Sequence, residues 1–233
     1  MFKKYQGKLY CFSPPVMLFT FLFEFGLAFY TIWRYKLTTV TRLAFVILLS
    51  LGIFQFTEYM TCGGLGLSHP TMVRIGYASI TLLPALGIHM IVTLAKKNLP
   101  MLIGTAYASS ALFIAFFLFA SGAVGAEACY ANYAVFYTHD FGGRPFMYYY
   151  YGWLLIGAYL AYRWSLQQPK HKKALAGMTF GYASFIVPTT AFNLIDPTTI
   201  RGVPSIMCGF AVLFAIALVM VVLPNSTPKA KRK

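Results

Sequence analysis

Apolar residues along this 233-residue chain gather into seven runs, each close to the roughly 20 residues that an α-helix needs to cross a hydrocarbon core. The runs are about Pro15 to Trp33, Leu43 to Thr61, Met72 to Ala95, Met101 to Ala120, Met147 to Trp164, Ala174 to Leu194 and Val203 to Leu223. Helix breakers fall between or after them: Gly63-Gly64, His69-Pro70, Asn98-Leu99-Pro100, Gly142-Gly143, Gln168-Pro169, Asp196-Pro197 and Leu223-Pro224. The pattern predicts an all-α, polytopic membrane bundle of seven transmembrane helices. It predicts a single transmembrane domain over residues 1–233 that ends in a short basic tail over 224–233.

Composition narrows the class. With 59% apolar and 10% charged residues, the chain is far from a soluble domain, in which roughly a quarter of residues are charged. The net charge of +14 does not point to nucleic acid, because the basic residues sit in short runs between apolar segments, as membrane topology requires. No cleavable leader is expected: Lys3, Lys4 and Lys8 precede Cys11 and Pro14-Pro15, not a short apolar core with a cleavage site. Lys and Arg total 13 on the side holding Arg34, Lys96, Arg163 and the tail, and six on the other. By the positive-inside rule the N-terminus is then outside and the C-terminus cytoplasmic. The basic cytoplasmic face, free of acidic residues, is expected to attract anionic lipids, whether as a solvated face or as a specific lipid site. Trp33 and Trp164, beside Arg34 and Arg163, read as interfacial anchors.

In that orientation all four cysteines lie outside, where oxidation is permitted. Cys62 with Cys129 is the preferred disulfide, because it would tie the glycine-rich second loop to the longest outer loop. Ionisable groups inside a span need a partner or a task. Glu24 sits among phenylalanines about 13 Å below the outer boundary, at 1.5 Å per residue. Gln55 reaches a similar depth and Glu58 lies one turn further out on the same face. The candidate ligand-binding residues are therefore Glu24, Gln55, Glu58, Asn193 and Tyr148, bordered by the intrahelical Pro84 and Pro188. The plainer alternatives are a hydrogen bond between Glu24 and Gln55 and an ion pair between Glu58 and Arg74.

No catalytic residue, metal site or cofactor is expected. His89 lacks a second intramembrane histidine for a haem, and Val203 to Leu223 holds no lysine for a retinal Schiff base. Cys62, His69, Cys129, His139 and Asp140 suit zinc by type but not by spacing. Thr61-Cys62-Gly63-Gly64-Leu65-Gly66 reads as a glycine turn, since the loop is too short for a pore helix. Gly177 and Gly181 form a small-residue pair suited to close packing within the bundle. Tyr130, Tyr133, Phe136, Tyr137, Phe141 and the Tyr148–Tyr151 run form either an interfacial belt or a lid over the polar layer, suited to a small ligand, cationic if the acids below recognise it.

Cys11-Phe12-Ser13 before the first span, with Gln55-x-x-Glu58 near the end of the second, resembles a group of uncharacterised bacterial membrane proteins that begin near a Cys-Phe-Ser motif. The Arg74-to-His89 stretch containing Pro84 resembles the seven-helix sensor region of bacterial histidine kinases. The likeness covers the first three helices. It implies a seven-helix bundle in a bacterial inner or plasma membrane and, for the kinase regions, ligand sensing. No kinase module follows Leu223, so a sensor of this kind would work through a cytoplasmic or membrane protein partner. The expected function is an integral membrane sensor or accessory protein, receptor-like, with a small-ligand pocket in the outer half. The alternatives are a transporter of small solutes or cations and a metal-dependent membrane enzyme.

Overall fold

A computed structural model describes residues 14–63, 70–130 and 133–230. Cys11 and the Cys-Phe-Ser motif, the N-terminal lysines, Gly64 to His69 and the last three residues lie outside them. The described residues form helices α1 (Pro14–Arg34), α2 (Thr39–Glu58), α3 (Pro70–Leu94), α4 (Pro100–Phe119), α5 (Arg144–Gln167), α6 (Lys172–Ile195) and α7 (Val203–Ala217). All seven expected helices are present, with ends shifted by a few residues. A π turn, Tyr59–Gly63, extends α2, and π and 3-10 turns carry α7 on to Asn225. Six helical segments are long and apolar enough to cross a membrane, which identifies an integral membrane protein. The seventh helix, α5, has ample length at 24 residues but is diluted by tyrosines.

The segment expected as a long outer loop instead contains a β-hairpin, β1 (Val124–Cys129) and β2 (Ala134–Thr138). Its strands are antiparallel, with Val124 opposite Thr138 and Cys129 opposite Ala134. A bulge at Glu127 interrupts the ladder. That extra residue ion-pairs with Arg201 at 3.2 Å. Ala134, Val135 and Phe136 of β2 are buried. Phe136 packs with its ring centroid 5.4 Å from that of Tyr77 and 6.2 Å from that of Phe54. The hairpin therefore plugs one end of the bundle, over an aromatic layer that includes Phe117 and Phe146.

Helix packing uses small residues where chains approach closely. A Cβ at Gly181 would run into the Phe214 ring, and one at Gly177 would lie 2.9 Å from Val221 Cγ1. This glycine pair joins α6 to α7 inside the bundle, as its spacing implies. Tyr182, fully buried, drives its hydroxyl between Gly87 of α3 and Gly157 of α5. Trp164 does not act as an exposed anchor: it is 7% exposed and belongs to the core, whereas Trp33 is 64% exposed.

Both predicted intrahelical prolines are present, in α3 and α6. Pro84 removes one backbone donor from α3. The carbonyl left without its helical donor is that of Ile80, and the next one, that of Thr81, accepts hydrogen bonds from Tyr149 Oη at 2.6 Å and Ser110 Oγ at 3.2 Å. The second proline, Pro188, is followed by Thr189, whose buried hydroxyl has no hydrogen-bond partner among the described residues.

At the end opposite the hairpin, Gln168 Nε2 donates to the Ala95 carbonyl at 3.1 Å. The basic tail is partly docked there as well. Tyr35 and Lys229 form an antiparallel bridge, with Lys36 N donating to Pro228 O and Ala230 N to Arg34 O. The C-terminal continuation of α7 is thereby fastened to the α1–α2 connection.

Candidate ligand cavity

The candidate acids are buried and lie on α1 and α2. Glu24 is 0%, Gln55 3% and Glu58 1% exposed. Gly52 sets how closely the two helices approach: a Cβ there would meet the Phe25 ring and lie 3.6 Å from Glu24 Cβ. The carboxyls of Glu24 and Glu58 are within electrostatic reach of each other and of buried Cys208 on α7. Ser205 of α7 lies beside the Glu58 carboxyl, yet neither carboxyl has a partner with hydrogen-bond geometry among the described residues. The two plainer alternatives are therefore absent. Glu24 does not hydrogen-bond Gln55. Arg74 turns instead to α4, where its Nη1 donates to the Leu118 carbonyl at 3.2 Å, a helix end at which free carbonyls favour a cation.

The other two candidates lie apart. Tyr148 is 78% exposed on α5. Asn193 Oδ1 accepts from Thr199 Oγ1 at 2.7 Å, in the cap between α6 and the 3-10 segment Pro197–Gly202. Asp196 completes that cap by accepting from Thr198 N and Oγ1, and these bonds hold its carboxyl below the usual carboxylate range. His89, at the other end of α3, makes a 3.1 Å hydrogen bond between Nδ1 and Tyr107 Oη, as a structural core histidine would. Among the described residues no three metal-ligating side chains converge.

Among the described residues two cavities stand out within the bundle, and neither is lined by Glu24, Gln55 or Glu58. The smaller, about 30 Å³, is an apolar gap beside Tyr182, Tyr150 and Cys208. The larger has a volume of about 460 Å³, within the size range of small-molecule sites. It lies under the hairpin, between α3, α5, the 3-10 segment and α7. Phe136 and Thr138 of β2, Tyr77 and Ile80 of α3, and Tyr150 and Tyr151 of α5 form much of its wall. Val203, Pro204 and Met207 of α7 close the far side, and Arg144 and Arg201 border it.

The sequence holds a signal for this cavity that topology alone does not reveal. Arg144, Met147 and Tyr151 follow one another at helical spacing and line one side of α5, while Tyr148 occupies another. In a count of topology-setting charges, Arg144 and Arg201 are loop residues and nothing more. The hairpin that forms the roof is also signalled, by the β-branched and aromatic run Ala134–Thr138. Tyr77 connects the two layers, since it lines the cavity and lies within electrostatic reach of Glu58.

The disulfide expectation holds: Cys62 and Cys129 are bridged, with Cα atoms 5.7 Å apart. The bridge ties the π turn after α2 to the last residue of β1. Tyr133 at the hairpin tip lies against Gly202, where a Cβ would strike its ring. Ala134 N donates to Ser205 Oγ on α7 at 3.0 Å. With the Glu127–Arg201 ion pair, these contacts fix the cavity roof at four points. No family model, curated protein or solved structure matches this chain.

Proposed function

We propose that this protein is an integral membrane sensor, receptor-like in use, whose ligand enters the cavity beneath the hairpin and whose response is read at the opposite, basic end. The observation that carries this reading is the cavity of about 460 Å³, roofed by a hairpin that is covalently tied to α2. The buried acids take a second role in it. Glu24 and Glu58, with Gln55 on the same two helices, sense through Tyr77 what occupies the cavity, and do not touch the ligand. Lipids, including anionic ones at the basic end, and a cytoplasmic or membrane partner complete the scheme. The hairpin end faces outside and the tail faces the cytoplasm of a bacterial inner or plasma membrane. A reporter fused after Lys233 is then active only in its cytoplasmic form, and an external signal would overturn the orientation.

A tethered occupant tests the sensor reading even while the natural ligand is unidentified. Ile200 lines the cavity from the 3-10 segment and is half exposed, so Ile200→Cys in a Cys11→Ser/Cys208→Ala background offers a single thiol for a hexyl methanethiosulfonate. The expected result is slower hydrogen exchange in the hairpin together with altered exchange across residues 34–38 and 228–230. Exchange that changes only near the label, or nowhere, would sink the reading.

A further inference from the structure

We infer that the cavity beneath the hairpin takes an anionic amphiphile, with a phosphate or carboxylate head held by Arg144 and Arg201 and an alkyl or acyl chain laid along the apolar wall beneath. This rests on the cavity being a ligand site, and goes beyond it by naming the chemistry of the occupant.

The charge around the cavity is one-sided. Arg144 and Arg201 both border it, and no Asp or Glu is among its lining residues. Glu127 engages Arg201 through one contact at 3.2 Å, which leaves other donors of that guanidinium without a partner among the described residues. Arg144 is exposed at the first turn of α5, the helix start carries no side-chain cap, and the adjoining Gly142 and Gly143 also face the cavity. The positive end of the α5 dipole adds to the two guanidiniums, although Pro145 in that turn has no amide hydrogen to offer. Guanidinium groups favour planar or tetrahedral oxyanions, which they grip through paired hydrogen bonds.

The wall below the mouth is of a different kind. From Arg144 to Tyr151 the α5 wall descends roughly 10 Å, at 1.5 Å per residue. Facing it are Ile80, Phe136, Val203 and Met207, with tyrosine rings between. A free inorganic anion would use the mouth and leave this apolar space unfilled, and a cationic or neutral chain would leave the arginines unmatched. An amphiphile with an anionic head satisfies both parts at once. The acids Glu24 and Glu58 do not oppose it, because neither lines the cavity.

The test uses the full chain in a neutral-detergent micelle, with occupancy read by native mass spectrometry. The probes are dodecyl phosphate, dodecyltrimethylammonium, dodecanol and inorganic phosphate. Dodecyl phosphate is expected to bind one per chain. The double variant Arg144→Gln/Arg201→Gln is expected to weaken it by about tenfold or more, in line with loss of charge-assisted hydrogen bonds. Arg144→Lys/Arg201→Lys should retain an intermediate affinity, which separates loss of charge from misfolding. Ile200→Trp, which fills the space under the roof, should abolish binding of the chain-bearing probe. Equal occupancy by dodecanol or dodecyltrimethylammonium, or indifference to the arginine variants, would overturn the anionic preference. Inorganic phosphate binding as tightly as dodecyl phosphate would overturn the chain. If no probe binds while the tethered hexyl chain still alters exchange at the opposite end, this inference fails and the sensor reading stands.

Discussion

Replacing Cys62 and Cys129 by serine is expected to lower the stability of the hairpin end by about 2–4 kcal/mol. The bridge spans 67 residues of sequence, and in the chain-entropy model a loop of that length contributes about 4 kcal/mol. The lower figure applies because α3 and α4, which lie within the loop, remain helical in a bilayer after the roof is released. The loss should be local. The hairpin holds its place through Tyr133 on Gly202 and through Ala134 N to Ser205, and neither contact alone replaces a covalent tie. Thermal unfolding in nanodiscs, with and without reductant, checks this. The expected sign is a lower melting temperature for the double serine variant and for reduced wild type, by the same amount. Hydrogen exchange should rise first in residues 124–138. Unchanged melting, with unchanged exchange in the strands, would mean that the hairpin is held by packing.

The second large effect is expected at the junction of α3, α5 and α6. Gly87→Ala places a methyl group against the Tyr182 hydroxyl in a site with no room for it, and overpacking of this kind costs about 1–3 kcal/mol. Tyr182→Phe removes the obstructing oxygen. The nearest remaining ring atom would then lie 3.2 Å from the new methyl, a tight contact that a small shift relieves. The double variant should therefore be more stable than Gly87→Ala alone, although each change by itself is neutral or harmful. A double-mutant cycle measures this directly, because residues in contact depart from additivity. Strict additivity would mean that the tyrosine does not occupy the gap between the glycines.

Much of the helical architecture can be read in the sequence, for a physical reason. Polar groups are costly in hydrocarbon, so six of the helices stand out in the sequence as strongly apolar stretches and the tyrosine-rich α5 as a weaker one. The disulfide is legible because the alternation of spans brings Cys62 and Cys129 to one end. The hairpin is legible only as the β-branched and aromatic run Ala134–Thr138, because its two strands total eleven residues and their pairing depends on a bulge and on a buried face supplied by α3, α4 and α7. The cavity is legible only in part. Hydropathy marks Glu24, Gln55 and Glu58 as costly and therefore notable, but it marks loop arginines only as topology. Which of Tyr148, Tyr150 and Tyr151 turns inward depends on the rotation of α5, set by packing of Phe146 and Tyr149 against Phe113. Depth along a helix can be counted from the sequence, and rotation about its axis requires the neighbours.

The Thr81 carbonyl has a mechanical consequence. A proline bend works as a hinge when the backbone groups it frees can change partners as the angle changes. In α3 the carbonyl next to the one that Pro84 frees is held from two sides, by hydroxyls of α4 and α5, so any bending there would have to carry those helices with it. At Pro188 no such brace is found among the described residues, and the hydroxyl of the next residue, Thr189, is buried without a partner among them. Two prolines that look alike in sequence thus sit in different surroundings: α3 is tied to its neighbours beside Pro84, and α6 at Pro188 is expected to be the more compliant. Any large bending of the bundle is expected in α6, with α3, α4 and α5 serving as the frame against which it moves.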